Sequence, residues 1–204
     1  MHAGLHKSPI CQTVCRANVV EAIDDMQMAC DLETALKLLV SRGVDGKELT
    51  TAINQVRDRN DLFKAIQTLA LKARAPEHPV PRSEWYVPVE DARDLHKIGL
   101  RYRNCARRYT TDLLDESAGM AFAEVRHGGQ GAVVHLTRKD GQWCLASVTG
   151  PRNAPPGRAL YERVERYLER EGGIRIERRQ RRPESEWDSV RRLSNTAFLD
   201  FDFD

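Results

Sequence analysis

A stripe of apolar positions organises the middle of the chain: Leu95, Ile98, Tyr102, Cys105 and Tyr109 follow one another at steps of three and four. That spacing lines one face of an α-helix, and Lys97, Arg101, Arg103, Arg107 and Arg108 fall on the others. The pattern predicts one helix over residues 95–109, begun by Glu90 or Asp91, with an apolar side for a core and a guanidinium side for something acidic. On this reading Cys105 is a small buried packing residue.

Upstream, Val19, Ile23, Met26 and Cys30 predict a helix, and Asp31 can cap a second one carrying Leu32, Leu36 and Leu39 and ending at Gly43. A third is expected from about Lys47 through Val56, and Asp61 can cap a fourth through Leu62, Ile66 and Leu69. Residues 1–73 therefore read as a helical N-terminal unit. Two of its segments, DLETALKLLVSRG and DLFKAIQTLALKA, resemble each other, but two units are fewer than a solenoid needs. The prolines of residues 74–84 predict an extended linker.

Downstream, Trp85 to Val89 suggests a short edge strand, and TTDLLDESAG an exposed turn. Residues 120–126, 132–138 and 143–148 read as strands, separated by His127-Gly128-Gly129 and Lys139-Asp140-Gly141. Such short Gly-containing connections make hairpins, hence an antiparallel meander. The loop GPRNAPPG interrupts the sheet, and Leu160, Val164, Tyr167 and Leu168 mark a final helix closed by Gly172-Gly173. A fourth short strand is expected at residues 174–177. The fold class is α+β: a helical N-terminal unit, then a helix, an antiparallel meander and a C-terminal helix, with the second domain spanning residues 85–177 and an Arg-rich segment and acidic tail at 178–204.

Composition adds little to this. Of 204 residues, 41% are hydrophobic and 30% charged, with a formal net charge of +2, which suits a globular chain. The distribution is more telling, because between Arg93 and Arg108 six Lys or Arg meet the single acid Asp94. A second basic cluster is Arg178, Arg179, Arg181 and Arg182. Both are candidate phosphate-binding patches. The second could instead bind the chain's own acidic tail, NTAFLDFDFD. No stretch reaches the roughly 20 apolar residues of a membrane span, the first residues lack a signal-peptide core, and five cysteines without framework spacing fit a reducing compartment. A cytoplasmic location is expected. His2, His6, Cys11 and Cys15 carry zinc-ligating groups, but their spacing matches no zinc motif, so no metal is expected.

The residues Leu95, Gly99, Tyr102, Asn104, Cys105 and Tyr109 are similar to the motif of the PcfJ-like domain family, found in proteins of conjugative plasmids and other mobile elements. The resemblance extends through the strand AFAEVR, ending at Arg126, and the later Gly150-Pro151-Arg152-Asn153, over roughly residues 85–171. Ile98, Ala106 and Ser147 depart from the family pattern. The resemblance implies a bacterial or mobile-element protein in contact with nucleic-acid processing, and supplies no reaction.

Three functional readings follow. The leading one is a nucleic-acid-associated accessory protein that binds DNA or RNA phosphates through Arg101, Arg103, Arg107, Arg108, Arg178, Arg179, Arg181 and Arg182, with the N-terminal helices free for a protein partner. The second is an enzyme or toxin-like effector using a pocket formed by Asn104, Tyr109, Arg126, Gly150, Arg152 and Asn153, with Cys105 as nucleophile and His135 as its base. The third is a protein-interaction module with an apolar groove on the helices of residues 19–71. Arg126 also has a structural reading, pairing with Glu124 or Asp115. The Gly150 loop lacks the Walker and dinucleotide patterns, so no cofactor is implied.

Overall fold

The computed structural model describes residues 17–176. The N-terminal His and Cys residues considered for zinc and the Arg178 to Arg182 cluster lie outside that range.

Four helices form the first unit: α1 (Ala17–Glu21), α2 (Met26–Ser41), α3 (Gly46–Asn54) and α4 (Arg59–Ala70). Their starts are set by aspartates whose carboxylates accept from the first turn, Asp25 for α2, Asp45 for α3 and Asp58 for α4. The expected caps are corrected accordingly. Asp31 lies inside α2 and Asp61 inside the first turn of α4, because the extended residues Asp25 and Asp58, six and three positions earlier, place their side chains over the free N–H groups. The chain also breaks before α2, which leaves Met26 and Cys30 exposed. Leu36, Ile53, Leu62 and Leu69 form the core of this unit, and the Asn18 amide ties α1 to the end of α3 by donating to the carbonyls of Ile53 and Val56.

The second unit is a sheet between two helical layers. Strands β1 (Tyr86–Pro88), β2 (Met120–His127), β3 (Gln130–Lys139) and β4 (Gln142–Thr149) pair antiparallel in chain order. Alternation sends Ala123, Val125, Val134 and Val148 to one face, where they meet Leu160, Val164 and Leu168 of α7 (Arg158–Gly172). Phe122 and Val133 face the other side and pack on Leu95, Ile98 and Tyr102 of α5 (Ala92–Tyr102). A bulge follows His135, where Ser147 pairs with His135 but Leu145 with Leu136. Of the strand expected at 174–177, the described residues 174–176 contribute only an isolated bridge, Arg175 to Cys144.

Backbone hydrogen bonds join the two units. Arg74 donates its N–H to the Arg42 carbonyl, Ala75 to Glu90, and Ala92 to Ala73. Val80 is buried in the core beneath α7, and Tyr167 donates its hydroxyl to the Pro81 carbonyl.

Two further expectations are corrected. The central helix stops at Tyr102: Arg103 takes left-handed angles, φ 49° and ψ 47°, and a separate 3-10 turn runs from Cys105 to Tyr109. Arg103 N–H then bonds the Leu100 carbonyl and Asn104 N–H that of Gly99, which is the paired closure of a Schellman motif. The turn after it buries Ala106 and leaves Cys105 exposed, so the thiol is not a core group. The expected exposed turn is partly helical, with α6 (Thr110–Leu114) burying Leu113 against the sheet. Among the described residues no helix is long and apolar enough to cross a membrane.

Candidate nucleic-acid interface

The site grows from one carboxylate. Glu124 lies on β2 facing α5, and only 7% of it remains exposed. A buried carboxylate needs donors or counter-charge, and four groups provide them. Tyr102 donates its hydroxyl to Glu124 Oε1 at 2.8 Å, Arg101 Nη1 at 2.6 Å, and Arg126 donates through Nε at 3.0 Å and through Nη2 at 2.9 Å to both oxygens. Burial alone would push the Glu124 carboxyl up, but the hydrogen bonds from Arg101, Arg126 and Tyr102 outweigh it and hold the group below its ordinary value. Burial, reinforced by the bond to Glu124, pushes the Tyr102 phenol up to about 12, so it stays a donor.

Local packing makes this arrangement possible. Gly131 sits opposite Arg126 in the β2–β3 ladder, and any Cβ there would collide with the Tyr102 hydroxyl. The missing side chain lets Tyr102 lie across the strand pair and reach Glu124.

The consequence is electrostatic. Two guanidiniums share one carboxylate, and their side chains remain 50% and 62% exposed at Arg101 and Arg126. A net positive charge is thus fixed at the surface, with guanidinium donors still turned to solvent. On the opposite face of the sheet, beside the same β2–β3 turn, Arg163 of α7 holds its guanidinium 4.5 Å from the Trp85 ring centre and 3.2 Å from the His127 imidazole.

The loop after β4 approaches from the side. Gly150 N–H bonds the Ala154 carbonyl at 2.7 Å, and Arg152 and Asn153 both adopt positive φ, 55° and 58°. Asn153 Oδ1 accepts from the Cys105 N–H at 3.1 Å, joining the loop to the break after α5. Asn104 has a capping role there: its Oδ1 accepts from Ala106 N–H, while its buried Nδ2 has no partner among the described residues.

The structure therefore brings Asn104, Cys105, Gly150, Arg152 and Asn153 to one junction, and Arg101 and Arg126 to Glu124. It does not bring all the expected residues together. Tyr109 is part of an aromatic stack with Phe122 and His135, in which His135 lies 4.4 Å from Phe122 with the rings 5° from parallel. Burial lowers the His135 imidazole to about 4, which leaves it neutral, and no hydrogen bond joins it to Cys105 among the described residues. Arg107 and Arg108 point elsewhere, into a groove against α2 and α4. Asp115 caps the turn at Ser117 rather than pairing with Arg126.

Sequence reasoning passed over Glu124 as the centre of the site, along with Tyr102, Gly131, His127 and Arg163. The signal for Glu124 was an acid two residues before Arg126 on a strand whose neighbours are all apolar. Among the described residues no group of three His, Cys, Asp or Glu side chains could hold a metal. No family model, curated protein or solved structure matches the chain.

Proposed function

We propose that this protein is a nucleic-acid-associated accessory protein that contacts phosphates at the end of its sheet near the β2–β3 turn. The observation that carries this reading is the pair of exposed guanidiniums, Arg101 and Arg126, clamped on buried Glu124. Fixing them in advance removes much of the side-chain entropy that a phosphate contact would otherwise cost. The resemblance to PcfJ-like domains of mobile elements points the same way. Arg107 and Arg108 are dropped from this surface, because they line the groove on the other side of the 3-10 turn.

Retardation of labelled single- and double-stranded DNA and RNA across a salt series tests the proposal. Phosphate contacts release counterions, so affinity should fall steeply with salt. Absence of binding at low salt, or binding indifferent to salt, would contradict it.

A protein-interaction role has its own support in the groove between α2, α4 and the start of α5, which has an apolar floor. A nucleophilic enzyme has less, since the Cys105 and His135 side chains belong to different clusters.

A further inference from the structure

The groove that takes in Arg107 and Arg108 has a volume of about 930 Å³ and runs along α4. Its direction can be read from the contacts at each end of that helix. At the N-terminal end Arg59 pairs with Asp24, and Asp25 and Asp31 lie on the same rim. At the C-terminal end the chain joins α5 through the Ala92 to Ala73 hydrogen bond, and His96, Arg107 and Arg108 form the rim. Between them lies an apolar floor of Leu32, Leu62, Phe63 and Ile66. Phe63 is half exposed, with the Arg59 guanidinium 5.2 Å from its ring centre. The groove is therefore acidic at one end, apolar in the middle and basic at the other.

The C-terminal segment outside the described residues has the complementary order. Arg191 and Arg192 come first, then Leu193, Phe198 and Leu199, and finally Asp200, Phe201, Asp202, Phe203 and Asp204. In an extended chain such alternation puts phenylalanines on one side and aspartates on the other. The dimensions agree. Helix α4 has 12 residues, hence a length of about 18 Å, and the stretch from Arg192 to Asp200 extends to about 26 Å. The chain between Ile176 and Arg191 reaches about 45 Å, enough to cross a body whose radius of gyration is about 15 Å.

We propose that this groove is the docking site of the chain's own residues 191–204, with Arg191 and Arg192 at the aspartate rim, Leu193, Phe198 and Leu199 on the apolar floor and the aspartates from Asp200 onward against His96, Arg107 and Arg108. The docked segment covers Arg107 and Arg108. A nucleic acid is a poor occupant, since the aspartate rim repels phosphate and the floor is apolar. The proposal does not rest on the nucleic-acid reading, and its test contains no nucleic acid.

The test uses the full chain at low micromolar concentration with a Phe63→benzoylphenylalanine substitution, irradiated and mapped by mass spectrometry. The expected result is cross-linking within one chain to residues 191–204, reduced at least five-fold by Phe198→Ser with Leu199→Ser and weakened in 1 M salt. Cross-links between two chains, cross-links confined to α2 and α4, or a yield unaffected by the serine substitutions would overturn it. Amide hydrogen exchange of the chain without the photoreactive group gives a second reading. Residues of α2 and α4 should exchange faster in the Phe198→Ser, Leu199→Ser protein, and identical exchange would overturn the proposal.

Discussion

At the scale of single residues the molecule depends on where charge is allowed inside it. Glu124 is ionised and nearly buried because Arg101, Arg126 and Tyr102 all donate to it. Glu124→Gln keeps the shape but removes the counter-charge from two guanidiniums, which being half exposed can turn to water, so the loss is that of charge-assisted hydrogen bonds and costs about 1–2 kcal/mol. Thermal melts should show a clear drop in midpoint, and an unchanged midpoint would mean that the cluster adds nothing to stability. His135 represents the opposite case, a neutral imidazole in an aromatic stack. Its folded value of about 4 lies below its ordinary value near 6.5, so the unfolded chain takes up the proton first as pH falls. The stability it confers is complete above about 6.5 and is lost as pH drops toward 4, the direction in which protonating Glu124 also destabilises. His78, lowered to about 4 by burial despite its bond with the Val80 carbonyl, adds to the same acid limb. Replacing His135→Phe keeps the stack and removes the titration, so its stability should fall less than wild type between pH 6.5 and 4. Parallel acid limbs for the two proteins would contradict the assignment.

Among elements, the break after α5 decides what the central segment presents. Gly99 lets the 3-10 turn fold back so closely that a Cβ would lie 2.6 Å from the Arg107 nitrogen. Gly99→Ala should cost about 1–3 kcal/mol as an overpacked contact, seen as a lowered melting midpoint, and a wild-type melt would show that the turn moves away freely. Ile98 is 6% exposed and packs toward the sheet, so Ile98→Asp should cost about 3 kcal/mol or more, while Arg103→Ala should stay within about 0.5 kcal/mol. A stable Ile98→Asp protein would contradict the packing of α5. The helices, the meander and their order were legible in the sequence because burial follows periods of 3.6 and 2. The break was not, since Tyr109 keeps the 3-4 rhythm across it, and only Gly99 and Asn104 marked a helix end. Cys105 was placed in the core for the same reason: a periodic pattern continues on paper through a residue in left-handed geometry.

For the whole molecule, the sheet carries two helical layers and leaves one end positive. The arginines of the site were legible individually, whereas their organiser, Glu124, required knowing that Tyr102 and Gly131 meet across the strands. The same assembly divides the basic stretch at residues 93–108 between two surfaces, with Arg101 at the sheet end and Arg107 and Arg108 in the groove. The measurement that tests the central claim most directly is nucleic-acid affinity as a function of salt for wild type and for Arg101→Ala with Arg126→Ala, with melts confirming that both are folded. Each phosphate contact contributes about 0.9 to the slope of log affinity against log salt for duplex DNA. The double variant should bind more weakly at low salt with a slope smaller by about 2, whereas a folded variant with wild-type affinity and slope would contradict the account.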